Sequence, residues 1–211
     1  MNAHSDPANP LFTVGHSNLE LEVFLALIAQ YGVQILCDVR SRPASFRFPQ
    51  FNRAPLEAGL SSVGIRYEFL GETLGGRPAD PRVYREDGLV DYAARRRAPD
   101  FAEGIDRALA LSRTNVTALM CAEEDPLQCH RFLMICPALL EQGVSPVHIR
   151  RGGALESQSD AEDRLLVLRG FDDVTSTSLF VAGREAALRD ALALQSKDFA
   201  FRASPEAAEY F

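Results

Sequence analysis

No run of apolar residues in this 211-residue chain approaches the roughly 20 needed to cross a bilayer. No membrane partner is therefore expected. Residues 1–10 are polar and lack an apolar h-region. They read as a flexible N-terminus without a secretory leader. Cysteine is sparse, with four in the chain. A chain of this length buries a full core without disulfide or metal staples, so its thiols are expected to be reduced and the protein cytoplasmic. Positive charge is in deficit, the formal net charge being −7. Phosphate-backbone binding depends on cationic surface. A non-specific nucleic-acid coat is thus excluded, and nucleic acid is left only a local basic site. No repeat of solenoid type is present.

What is present is an ordinary globular composition, 46% hydrophobic and 24% charged. Apolar strand-like segments cover 11–14, 33–39, 65–70, 116–121 and 144–149. Gly32, Gly64 and Gly143 each stand between a helix-like segment and the next strand, where a left-handed residue stops a helix. Residues 19–31 are amphipathic, with Val23, Phe24, Leu27, Ile28 and Tyr31 on one stripe. Ser17 followed by Glu20 fits a capping box for that helix. Asn52 suits the cap of a helix over 53–63, with Pro55 in its first turn. Residues 100–112 and 132–140 form two further helical patterns, the second interrupted by Pro137, which predicts a kink.

Strands alternating with helices predict an α/β fold. The expected form is a three-layer, Rossmann-like domain with a mostly parallel sheet of about five strands. The core domain is expected over 11–150 and a partly helical C-terminal appendage over 151–211. Within the appendage, 151–162 is small and polar, 163–168 begins a short helix or strand, 174–178 is Ser/Thr-rich, and 184–194 is helical.

The reactive chemistry is concentrated in residues 121–131, where a strand gives way to a helix. Cys121, Glu123, Cys129, His130 and Arg131 lie there. Such corners are common ligand sites in open α/β sheets. The seven residues between the two cysteines exceed the usual short knuckle, so no metal ligands are assigned. A phosphatase-type loop would need an arginine six positions after its cysteine, and those positions are Leu127 and Ile135. A thiol at a helix start beside His130 and Arg131 suits a reactive thiolate. Arg131 with free helix-start amides also suits an anion. Alternatively, His130 and Arg131 cap the turn and pair with Glu123 or Asp125.

Other polar groups end other strands. His16 and Ser17 follow the first, and Asp38 and Arg40 follow the second. An acid at the end of a buried strand is costly unless paired or functional. Residues 38–53 interleave arginines and phenylalanines, which suits anion holding and base stacking or, equally, a loop with rings tucked inward. Gly75 and Gly76 lie in a loop after the third strand that lets backbone approach a ligand but lacks a P-loop ending. Arg95, Arg96 and Arg97 read as a solvated helix end. Cys37 and Cys136 read as core thiols.

The ordered set is specific. Thr13 to Ser17, Asp38 to Arg40 with Pro43 and Ser45, Phe51 with Asn52, Leu74 to Gly76, and Cys121 to Glu123 with Cys129 to Arg131 together resemble the family called domain of unknown function 488. The resemblance covers about 11–150 and implies a compact α/β domain whose motif residues line one pocket, without an established reaction. Those residues are His16, Ser17, Asp38, Arg40, Ser45, Asn52, Cys121, Glu123, Cys129, His130 and Arg131.

The leading expectation is an enzyme for a small anionic or nucleotide-like substrate. Arg40 and Arg131 would hold the anion, helped by Ser17, Ser45, Asn52, Gly75 and Gly76. His16, Asp38, Glu123 or His130 would move protons, and Cys121 or Cys129 would be nucleophile or redox centre. A non-catalytic module for a nucleotide or nucleic-acid end, and a structural metal domain, are the alternatives. No cofactor is assigned.

Overall fold

A computed structural model describes residues 9–174 and 181–203. Most of the expected flexible N-terminus, and the Ser/Thr-rich stretch from 175 onward, lie outside those residues. In chain order the elements are β1 (Leu11–Gly15), α1 (Leu21–Ala29), β2 (Ile35–Asp38), α2 (Arg53–Ser62), β3 (Arg66–Phe69), α3 (Gly71–Leu74), α4 (Tyr92–Arg96), α5 (Pro99–Thr114), β4 (Thr117–Cys121), α6 (Cys136–Glu141), β5 (Val147–Ile149), β6 (Leu155–Ser157), α7 (Gln158–Leu168) and α8 (Val181–Phe199). The six-stranded sheet runs β3-β2-β4-β1-β5-β6. It is parallel except for β6, which pairs antiparallel to β5. Among the described residues, no helix is long and apolar enough to cross a membrane.

The three-layer, Rossmann-like α/β expectation holds. Strand residues alternate between two apolar layers. Phe12, Val14, Leu36, Ala118 and Met120 pack with α1 and α2. Leu11, Ile35, Cys37, Leu119 and Cys121 pack with α5, the α6 region, α7 and α8 on the other face. Covering both faces is what a parallel sheet requires.

Several local expectations change. β6 lies inside the polar stretch 151–162, too short for an alternating signal. In α1 the buried face is Phe24, Leu25, Leu27 and Ile28, while Val23 is turned to solvent. The Ser17–Glu20 capping box does not form. Ser17 has φ 49°, and Glu20 is the N-cap without a side-chain bond. The main chain of His16 and Ser17 is held instead by Cys121 O and Ala122 O, at 3.0 and 2.8 Å. Asn52 does precede α2, but its Oδ1 accepts from Ser45 N at 2.5 Å rather than capping. Before Pro137 the chain makes a π-helical turn over Arg131–Ile135, in which Cys136 N donates to Arg131 O. Proline has no N–H to continue the ordinary ladder. Arg95 is not solvated. It is 1% exposed and bonds both Asp100 oxygens, at 2.6 and 2.7 Å, because α4 packs under the chain leading to α5.

A buried polar chain crosses the sheet near β5. Arg131 Nε donates to Thr13 Oγ1 at 3.3 Å. Guanidinium only donates, so the Thr13 hydroxyl is free to donate onward to His148 Nδ1 at 2.8 Å. His148 Nε2 then carries its proton and donates to Gln158 Oε1 at 3.2 Å. His148 is fully buried, and burial, aided by the Arg131 charge, lowers its pKa from 6.5 to about 4. His16 is likewise lowered to about 4, by burial and then Arg40. The folded state therefore holds both rings neutral.

As pH falls from 6.5 towards 4, the unfolded chain takes up protons that the folded chain refuses, so stability falls across that window. Each ring is expected to remove on the order of 2–3 kcal/mol there. His130, shifted upward, opposes this in part. Urea midpoints measured near neutrality and near pH ~4.5 check it. His148→Gln should be the less stable protein at neutral pH and show the shallower pH dependence. An unchanged slope would contradict the assignment.

Candidate functional site

The parallel register of β1 and β4 sets Gly15 opposite Cys121. The two strand ends then run on together, and the His16 motif is hydrogen-bonded to the Cys121 motif. Their approach is close enough to demand glycine. A Cβ on Gly15 would stand 1.7 Å from Glu123 O. Beneath this loop lies Arg131, 1% exposed, whose Nη1 and Nη2 donate to Glu123 O and Glu124 O at 2.6 and 2.7 Å. Burial disfavours its charge, yet Cys129, Cys121 and Glu123 hold it more firmly protonated than usual.

A 3-10 turn over Pro126–Gln128, capped by the Asp125 side chain accepting from Leu127 N, swings Cys129 back towards Cys121. His130 Nδ1 lies 3.6 Å from Cys121 Sγ and 3.7 Å from Cys129 Sγ. Its Nε2 lies 2.9 Å from Val39 O at the end of β2. Gly76 backs the ring, where a Cβ would come within 2.9 Å. Glu123 Oε2 accepts from Cys121 Sγ at 3.0 Å, and the Arg131 main-chain N–H points to Cys129 Sγ at 3.5 Å. These groups share charge unequally. Burial and the neighbouring Cys129 push the Cys121 thiol well up. Burial opposes ionisation of Cys129, but the Cys121 S–H with Arg131 and His130 brings it well below an ordinary thiol. Glu123 is open to the cavity yet walled by it, and burial with the Cys129 charge raises its carboxyl.

Asp38 and Arg40 form a second, structural cluster. Asp38 is fully buried and accepts from Arg40 N, Nε and Nη2 at 3.0, 2.9 and 2.6 Å, and from Tyr67 OH at 3.0 Å. Arg40 also donates to Phe51 O at 2.8 Å, and its Nη1 lies 3.3 Å from His16 Nε2. Because guanidinium can only donate, His16 Nε2 accepts there, and its ring stacks on Phe51 at 4.2 Å. Asp38 has no lone pair left facing the pocket, and Arg131 and most of Arg40 are committed to the protein.

A cavity of about 590 Å³ opens at this edge of the sheet. His16, Arg40, Ser45, Gly76, Cys121, Glu123, Cys129 and His130 line it. Ser17, Asp38, Asn52, Gly75 and Arg131 do not. Asn52 and Ser45 fold the arginine-rich loop, Ser45 Oγ accepting from Phe48 N at 3.1 Å. Gly75 packs against Ser41, where a Cβ would meet Oγ at 2.4 Å. Sequence reasoning missed Tyr92, Phe199 and Phe201 on the wall. Tyr92 comes from α4, Phe199 from the end of α8 and Phe201 from just beyond it, with no local signal linking them to the motifs. Arg42 and Arg47, read only as part of the interleaved stretch 38–53, and Arg77, not singled out, are exposed on the rim. Arg47 and Arg77 lie against Phe48 and Phe201, and none of the three has an ion pair with a described residue. The interleaving of arginine and phenylalanine was the visible sign for Arg42 and Arg47, and Arg77 lies outside it.

Two substitutions test this architecture. Asp38→Asn leaves Arg40 without its buried counter-charge and should cost about 3 kcal/mol or more in chemical denaturation. Gly15→Ala should cost a similar amount, at about 3 kcal/mol, because main chain rather than a flexible side chain must move. Gly152→Ala, where a Cβ meets nothing within 4 Å, is the control and should stay within about 0.5 kcal/mol.

Comparison with curated proteins and with solved structures gives no match. A family model does match, over residues 20–135, under the description "Domain of unknown function DUF488". That span begins just after the His16 motif and takes in the Asp38–Arg40 pair, the Gly75–Gly76 loop and the whole cysteine–histidine corner. It covers more than half of the chain, and the protein belongs to the DUF488 family.

Proposed function

We propose that the protein is an enzyme acting on a small anionic substrate bound in the cavity at the carboxyl ends of the strands. The observation that carries this reading is the pairing of two walls around one space. One wall holds Cys121, Glu123, Cys129 and His130. The other holds Arg42, Arg47 and Arg77, exposed and without carboxylate partners among the described residues. Unpaired guanidiniums around a concave site favour anions, since each can hold an oxyanion bidentately. In this reading the rim arginines, rather than Arg131, hold the substrate. Arg40 and Asp38 position His16, and Glu123 exchanges protons with the substrate or its attacking group. The fully exposed Phe46, on the loop of Arg42 and Arg47, favours a nucleotide among anions, because its ring face can stack on a base.

Incubation of the protein with a mixture of nucleoside phosphates and carboxylate metabolites tests this. Wild type should consume one member, and Arg42→Ala with Arg77→Ala should weaken its binding roughly tenfold to a hundredfold, as loss of charge-assisted hydrogen bonds implies. Glu123→Gln should bind the same anion without consuming it. An anion that wild type binds and leaves unchanged would instead identify a binding module.

A further inference from the structure

We propose that Cys121 Sγ, Cys129 Sγ and His130 Nδ1 are three ligands of a zinc-class divalent metal ion, with a fourth position open to the cavity. The three atoms all lie within 4.8 Å of one another. The finer distances are more telling. Tetrahedral coordination with Zn–S of about 2.3 Å and Zn–N of about 2.0 Å places sulfur and nitrogen about 3.5 Å apart. The observed separations from His130 Nδ1 are 3.6 and 3.7 Å. These are within hydrogen-bonding range for sulfur and also fit the edges of a coordination tetrahedron.

The surroundings support the ligand role independently. His130 Nε2 lies 2.9 Å from Val39 O, and a carbonyl can only accept. The proton is thus placed on Nε2 and the Nδ1 lone pair is aimed between the two sulfurs. Ligating histidines are oriented in this way, by a hydrogen bond from the ring's other nitrogen. Gly76 packs against the ring closely enough that a Cβ there would come within 2.9 Å of it. The Arg131 main-chain N–H at 3.5 Å from Cys129 Sγ would support a thiolate, and the buried Arg131 charge would offset the negative thiolate pair. Two sulfurs and one imidazole select zinc over magnesium or calcium, which prefer oxygen.

Cysteine spacing argued only against a knuckle. Here the ligands come from a strand end and a turn that folds back on it, which no short spacing rule describes. Three protein ligands and an open position are the pattern of a catalytic rather than a structural zinc site. Loading would release to solvent the protons shared among the two sulfurs and the imidazole, as two Zn–S bonds and one Zn–N bond form. Glu123 lines the cavity beside the cluster, its Oε2 3.0 Å from Cys121 Sγ. From there its side chain would face a molecule bound at the fourth position, opposite the arginine rim.

The inference rests on the enzyme reading of the same cavity and supplies its electrophile, but its test needs no substrate. Reduced, chelator-stripped full-length protein is titrated with Co²⁺ in the absence of air. One equivalent should bind per chain, giving the intense visible bands of tetrahedral cobalt and a sulfur-to-cobalt charge-transfer band. Zn²⁺ should displace it. Cys121→Ser and Cys129→Ser should each reduce the charge-transfer band and weaken Zn²⁺ binding by about 100-fold or more, the upper end of what loss of a mere supporting contact costs. Cys136→Ser should bind as wild type does. If the ligand variants fail to fold by circular dichroism, alkylation of wild type decides. Zn²⁺ should then protect Cys121 and Cys129 selectively among the four cysteines. Folded wild type without saturable cobalt absorption, an unchanged spectrum in both ligand variants, or no zinc protection of the two thiols would overturn the proposal. Any of these would leave the anion-binding rim standing, and failure of anion binding would leave the metal result standing.

Discussion

The buried guanidinium of Arg131 holds the site together. A charge in the interior is tolerable only when each donor has a partner and opposite charge lies near. Arg131 meets the first requirement with Glu123 O, Glu124 O and Thr13 Oγ1. Cys129, Cys121 and Glu123 meet the second. One side chain therefore fixes the loop after β4, anchors it to β1, and sets the potential felt by the thiols. Through Thr13 the same residue organises His148 and Gln158, so the polar interior near β5 depends on it as well.

A second constraint is the closeness of the strand ends. Gly15 and Gly76 bring main chain against Glu123 and His130 without an intervening Cβ. The chemistry then sits on rigid supports, namely a strand end, a capped 3-10 turn and a histidine ring held between a carbonyl and a glycine. The arginine-rich loop is built differently. It is folded by Ser45 and Asn52, carries Phe46 fully exposed, and presents Arg42 and Arg47 without an ion-pair partner among the described residues. The cysteine–histidine wall and the arginine rim thus face the same cavity from differently built supports.

Much of this was legible in the sequence where the signal is local. Apolar runs marked β1 to β5, glycine stops marked the starts of three of them, and polar clusters at strand ends marked His16, Asp38 and Cys121 onward. Legibility failed where a residue's partner is distant. Arg95 read as a solvated cation because Asp100 and Thr73 O, which bury it, are brought to it only by the packing of α4. Ser17 and Glu20 spelled a cap, but β4 claims the main chain at Ser17 first. Tyr92, Phe199 and Phe201 carry no motif, and they reach the cavity through helices packed on the opposite apolar layer.

The sequence by itself determined the periods, the breaks and the chemical inventory. It set helices against strands, a parallel α/β class, and a concentration of thiol, imidazole, carboxylate and guanidinium at strand ends. Only the tertiary structure decided which of these meet. β4 inserts between β1 and β2, an order that no local segment specifies. It sets Gly15 beside Cys121 and Val39 O beside His130. It also divides the arginines into Arg40 and Arg131, committed within the fold, and Arg42, Arg47 and Arg77, left at the rim. Burial and partner geometry, which depend on residues far apart in the chain, make that division.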